Sequence, residues 1–186
     1  MEDQAILALY WERNADAIRE TAAKYGGYCG TVARNILGSR EDAEECVNDV
    51  YLRAWGSIPP QRPRALSAYL GKLTRNLAFD RYRQGRAKKR GGGELALVLA
   101  ELEDCVSGRD SVDRTVETRE LVAAIDDFLT TLPPEKCSLF LGRYWYAAPV
   151  AELARRFSMT PGNVSVSLSR LRDKLKQYLT ERGFDL

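Results

Sequence analysis

Asn163, Ser165, Ser167 and Ser169 stand ahead of Arg170, Arg172 and Lys174 on one predicted helix. Short amide and hydroxyl side chains near a helix N-terminus can reach base edges, and cations behind them can reach phosphates. This order is therefore binding chemistry for duplex DNA. Thr160 is a natural N-cap, and Pro161 suits the first helical position because its missing N–H costs nothing there. Val164, Leu168, Leu171, Leu175 and Tyr178 follow at spacings of four and three as one buried stripe, which turns Asn163, Ser167, Arg170 and Lys174 outward. Upstream, Val150 to Phe157 predicts a short amphipathic helix and Ser158-Met159-Thr160 a turn. The two helices form a helix-turn-helix whose second helix is built to lie on DNA.

Two more helices carry residues that could bind. From Ala65 to about Arg86, Leu66, Leu70, Leu73 and Leu77 fall on one side, and Lys72, Arg75, Asn76, Phe79, Arg83 and Arg86 on roughly the opposite side. A surface that prefers single strands needs cations for the backbone and aromatic or amide groups for an unstacked base, with stacking worth ~1–3 kcal/mol per base. The helix from Arg40 to about Trp55 is capped by Ser39, with Asp42 at the capping-box position. It buries Ala43, Cys46, Val47, Val50, Tyr51 and Ala54 and turns Glu41, Glu45, Asn48, Asp49 and Arg53 outward. Taken alone, each of these two faces is equally an ordinary solvated one. Tyr144-Trp145-Tyr146 follows the apolar run Leu139 to Leu141 and is expected to be core under the helix-turn-helix rather than a stacking site.

The elements that must position these residues are helical throughout. The 186 residues, 45% of them hydrophobic, suffice for one domain or two small ones. Residues 4–38 read as helix with a joint at Gly26-Gly27, and the three prolines between Gly56 and Arg64 exclude regular structure there. That Pro-rich loop is a candidate wall for a flipped base or a plain connector. Leu132-Pro133-Pro134-Glu135 restarts the chain before the helix-turn-helix.

Charge is segregated along the chain. Six basic and ten acidic residues occupy 1–60 (−4), ten and one occupy 61–93 (+9), three and eleven occupy 94–135 (−8), and nine and four occupy 136–186 (+5). Two basic blocks divided by an acidic one predict two polyanion-binding surfaces, with a segment between them that avoids or imitates nucleic acid. In the free chain that segment is expected to pack loosely against one or both basic faces.

Histidine is absent, and Cys29, Cys46, Cys105 and Cys137 form no CxxC pair. Buried free thiols are expected rather than a metal site, with no cofactor, and the lack of histidine weighs against hydrolytic or metal-dependent catalysis. No run of about 18 apolar residues exists and the N-terminus opens acidic, so the chain is expected to be cytoplasmic and without membrane insertion.

In combination these stretches resemble the extracytoplasmic-function (ECF) class of bacterial RNA polymerase sigma factors across nearly the whole chain. Arg40 to Trp55 looks like the core-binding helix of the family's region 2, Leu70 to Arg83 like the helix that opens the minus-ten promoter element, and Leu132 onward like region 4, the reader of the minus-thirty-five element. The resemblance implies an all-α protein of two small helical domains, residues 1–90 and 118–186, joined by an acidic flexible linker over 91–117. It implies a non-enzymatic polymerase subunit that binds core RNA polymerase, directs it to promoters and helps to melt them, touching both double-stranded and single-stranded DNA. An anti-sigma factor is a further partner the family admits.

By the same resemblance Glu45, Asn48, Asp49, Leu52 and Arg53 dock on a helical hairpin of the polymerase's largest subunit, and Lys72, Arg75, Asn76, Phe79, Arg83 and Arg86 hold the minus-ten strand. Asn163, Ser165, Val166, Ser167, Ser169, Arg170, Arg172 and Lys174 hold the minus-thirty-five duplex. Relatives often carry cations where Ser165 and Ser167 stand, so grip on phosphate is expected to fall to Arg170, Arg172 and Lys174. The competing reading is a free-standing helix-turn-helix regulator acting without core polymerase, which leaves the first half of the chain unexplained.

Overall fold

The computed structural model describes residues 1–86, 94–106 and 114–184, which fold into nine α-helices and one π-helical turn, with no strand among them. The chain divides into two units, Met1–Leu95 and Ala96–Leu186.

The first unit is built from α1 (Asp3–Trp11), α2 (Asp16–Leu37), α3 (Arg40–Ser57) and α4 (Leu66–Arg86), with α2, α3 and α4 packed mutually and α1 laid on α2. Its core holds Ile6, Tyr10, Ala17, Val32, Ile36, Cys46, Val50, Ala54 and Ile58. The buried hydroxyls of Tyr10 and Thr21 satisfy each other at 2.9 Å, and Lys24 ties α2 to Asp3 of α1 at 2.7 Å.

The joint expected at Gly26-Gly27 is not there. Both glycines run inside α2, and the break between the first helices falls at 12–15, where Arg13 takes a left-handed φ of 55° and Asn14 Oδ1 accepts the Asp16 N–H at 3.0 Å. Gly26 serves close packing instead: a Cβ there would lie 3.1 Å from the Tyr51 hydroxyl of α3. The cap of α3 is as read, with Ser39 Oγ accepting the Asp42 N–H at 3.2 Å. The buried line of α4 is also shifted. Leu66 and Leu70 are fully buried as expected, but the line continues through Thr74 and Ala78, while Leu73 and Leu77 are half-buried. Thr74 keeps its hydroxyl satisfied in the core by donating back to the Leu70 carbonyl at 2.7 Å.

The second unit contains α6 (Arg114–Thr131), α7 (Pro134–Phe140), the π-helical turn Leu141–Trp145, α8 (Val150–Arg156) and α9 (Pro161–Glu181). Helix α5 (Glu94–Val106) crosses the division between the units. The acidic flexible linker expected over 91–117 is therefore corrected over 94–106, where Leu95, Val98 and Leu102 recur at helical spacing and Leu95 and Val98 are buried, and over 114–117, which open α6. Residues 91–93 and 107–113 of that linker lie outside the described residues. The second unit reaches back to Ala96, ahead of the expected start at 118.

Phe128 of α6, Phe140 of α7 and Tyr178 of α9 form an aromatic cluster with centroid distances of 6.3 Å (Phe128–Phe140) and 5.5 Å (Phe128–Tyr178), and Phe140 continues it to Tyr144 at 4.6 Å. Gly142 has a steric reason, since a Cβ there would meet Leu153 Cδ2 of α8 at 2.7 Å. Of the Tyr144-Trp145-Tyr146 triplet, Tyr144 is buried as expected, whereas Trp145 is 39% exposed.

Candidate polymerase and promoter interfaces

Helix α9 forms as its sequence dictates. Thr160 Oγ1 accepts the Asn163 N–H at 3.2 Å, Pro161 fills the first turn, and Val164, Leu168, Leu171, Leu175 and Leu179 make the buried stripe. Leu179 replaces the expected Tyr178 at its end, Tyr178 being half-buried. The turn from α8 passes through Ser158 at a φ of 52°. On the opposite side Asn163, Ser165, Val166, Arg170 and Lys174 are exposed, and Ser167 and Ser169 are half-buried at its edges.

Arg172 departs from the expected set. It lies four residues after buried Leu168, hence within about 40° of the buried stripe. Its Nη1 donates to the Tyr144 hydroxyl at 2.6 Å and to Glu101 Oε2 at 3.4 Å. Glu101, from the segment read as a spacer, also accepts from Arg143 at 2.6 and 3.3 Å and from the Tyr144 hydroxyl at 3.0 Å. Arg143 is 2% exposed and also donates to the Ala148 carbonyl at 3.0 Å. The π-helical turn presents consecutive residues 143 and 144 to the same carboxylate.

Burial works to raise the Glu101 carboxyl, but its hydrogen bond and charge pairing with Arg143, helped by Tyr144 and Arg172, hold it below the usual glutamate range. Burial pushes the Tyr144 hydroxyl up to about 12, so it remains a donor at neutral pH. Sequence reasoning missed this cluster. The available signal was Glu101 three residues after Val98 and one before Leu102, on the flank of a helical apolar stripe.

On α3, Glu45, Asn48, Leu52 and Arg53 are exposed and Asp49 is half-buried. Leu52 is 65% exposed, an unusual position for a leucine surrounded by charge. An open groove of about 600 Å³ runs beside it, lined by Asp49, Leu52, Arg53, Gly56 and Ser57 of α3 and Leu77 of α4. Arg81 of α4, another residue the sequence reading passed over, ties the acidic face to α4 at 3.0 Å from Glu45 and 2.5 Å from Asp49. Its hydrogen bonds to Glu45 and Asp49 raise its proton affinity further above the ordinary arginine value. A cation three residues after buried Ala78 and facing an acidic helix was the signal for it.

On α4, Lys72, Asn76 and Arg83 are exposed and Arg75 and Phe79 half-buried. The Arg75 guanidinium lies 4.5 Å from the Phe79 ring centroid, so the cation and the aromatic form one stacked unit. The side chain of Arg86 lies outside the described residues. The Pro-rich loop places Arg62 4.0 Å over the ring of Trp11.

Cys29 and Cys46 are buried free thiols and Cys137 is partly buried, while Cys105 lies outside the described side chains. Burial raises both buried thiols, Cys46 to about 11. Among the described residues no group of His, Cys, Asp or Glu is arranged to hold a metal, and no helix is long and apolar enough to cross a membrane.

Residues 12–88 match the family model for sigma-70 region 2. The chain is 24% identical over 152 residues to a probable RNA polymerase sigma factor RfaY of Xanthomonas campestris pv. campestris, covering 81% of this chain and 36% of that protein. It is 23% identical over 154 residues to the ECF RNA polymerase sigma factor SigE of Mycolicibacterium smegmatis, covering 82% of this chain and 57% of that protein. The chain thus spans roughly a third to somewhat over half the length of these curated relatives. A solved structure of CnrH in complex with the cytosolic domain of CnrY aligns over 96% of this chain and 97% of that one, with 19% identity and a TM-score of 0.45. Residues 12–88, within the first unit, thus match sigma-70 region 2, and the chain as a whole is similar to RNA polymerase sigma factors, an ECF one among them.

Proposed function

We propose that this chain binds core RNA polymerase, directs it to particular promoters and takes part in melting them. The observation that carries the reading is the construction of one region 2 unit with two different faces. One is acidic with an exposed leucine beside a groove, on α3. The other is basic with a stacked arginine and phenylalanine, on α4. A protein surface suits the first and an opened DNA strand the second.

In this reading Leu52 and the groove bury apolar surface against polymerase while Glu45, Asn48, Asp49 and Arg53 fix its orientation. Lys72 and Arg83 hold the phosphates of the minus-ten strand, and Phe79 and Asn76 receive an unstacked base. Helix α9 enters the major groove of the minus-thirty-five element with Asn163, Ser165, Val166, Ser167 and Ser169 toward the bases and Arg170 and Lys174 toward the phosphates. An anti-sigma partner would act by competing for the same faces, and the work is that of a cytoplasmic protein.

The test is assembly. The full chain mixed with core polymerase should co-elute in size exclusion and gain tight, sequence-selective binding to promoter fragments. A chain that binds duplex DNA selectively by itself and ignores core would instead be the free-standing regulator.

A further inference from the structure

Val166 lies two residues beyond Val164, so its side chain points about 200° away from the first buried position of α9, near the middle of the outward face. It is 50% exposed. The helix-surface neighbours at three and four residues are Gly162, Asn163, Ser169 and Arg170, so an isopropyl group is ringed by a bare backbone, an amide, a hydroxyl and a guanidinium. The side chain is not the edge of the core stripe. It is also a costly choice for an exposed helical site, where β-branching restricts the rotamer.

We propose that Val166 reads the C5-methyl group of a thymine and so selects an A·T pair at one position of the upstream promoter element. This rests on the reading of α9 as the duplex-binding helix. The thymine methyl is the apolar group that base pairs display in the major groove, and cytosine lacks it. Asn163, one turn earlier on the same face, carries the amide that pairs bidentately with adenine N6 and N7. An apolar and an amide group one turn apart on one helix face therefore match the two halves of A·T recognition, on the same or an adjacent pair. Arg170, one turn later, remains for phosphate.

Duplexes enriched from a random pool by the full chain assembled with core RNA polymerase supply the probe. Each thymine of the enriched element is then replaced singly by deoxyuridine, which keeps base pairing and the O4 acceptor and removes the methyl alone. One position should lose affinity by about fourfold, the change that corresponds to burying one methyl-sized group. Val166→Ala, which is helix-favourable and touches no core, shortens the apolar side chain and should narrow the difference between thymine and deoxyuridine duplexes at that position. Thermal melting by circular dichroism checks that the variant is folded. Deoxyuridine tolerated everywhere, or a methyl dependence undiminished in Val166→Ala, overturns the assignment while leaving promoter binding intact. Failure to enrich any duplex overturns the promoter reading and the assignment with it.

Discussion

Arg172 of α9 donates to the Tyr144 hydroxyl at 2.6 Å, and that hydroxyl donates on to Glu101 at 3.0 Å. A cation on α9, the helix proposed to read duplex DNA, is thereby joined to α5, outside the helix-turn-helix itself. Arg172 and Lys174 are two residues apart, yet only Lys174 is turned to solvent.

The two cations should accordingly separate in experiment. Arg172→Ala should destabilise the fold by about 1–2 kcal/mol, from the loss of hydrogen bonds involving a charged group, and leave the salt dependence of DNA binding nearly unchanged. Lys174→Ala should leave the melting temperature within error and lower the salt slope by ~1. Chemical denaturation beside fluorescence-anisotropy salt titrations distinguishes these outcomes.

Glu101→Gln should cost about 2–3 kcal/mol, because the buried Arg143 would lose the carboxylate charge of Glu101 that it pairs with. The same link gives a pH dependence. The Glu101 carboxyl is depressed in the folded state, so its contribution is present above the ordinary glutamate range and is lost as pH falls through its lowered folded value. Parent stability should fall over that acidic window more steeply than that of the Gln variant. Parallel curves for the two proteins would show that Glu101 is not the titrating link.

Much of this was legible before the fold. The stripe of α9 and both caps, Ser39 and Thr160, follow from spacing and side-chain chemistry alone. Position 172 misled because an arginine on the edge of a stripe can turn either way, and its partner Glu101 lies 71 residues away in a segment whose charge suggested a spacer. Helix α5 was hidden for a related reason, since the continuous apolar run Leu95 to Leu99 shows no helical period by itself and stands beside four acidic residues within Glu94–Val106. The Gly26-Gly27 pair reads as a breaker in sequence, but the close approach of Tyr51 to Gly26 is a tertiary fact.

Core binding should depend on the outer part of α3. Leu52→Asp removes an exposed apolar side chain without touching the core and should abolish co-elution with polymerase at unchanged helicity. Charge reversal of Glu45 and Asp49 to Lys should do the same, but it also breaks the Arg81 link. Arg81→Ala is therefore the control. It should cost about 1–2 kcal/mol, as a half-buried pairing with charged hydrogen bonds does, and retain binding if the carboxylates themselves are what polymerase contacts.

Strand opening should depend on the Arg75–Phe79 stack. Phe79→Ala or Asn76→Ala should leave closed complexes nearly normal and reduce permanganate reactivity of promoter thymines. Unchanged reactivity in both variants would mean that α4 only grips the backbone.

Run-off transcription from a promoter-fragment library with purified core polymerase tests the central claim most directly. Discrete transcripts should appear only when both core and the full chain are present, and should disappear with Leu52→Asp. Transcription indifferent to the chain, together with selective DNA binding by the chain alone, would contradict it.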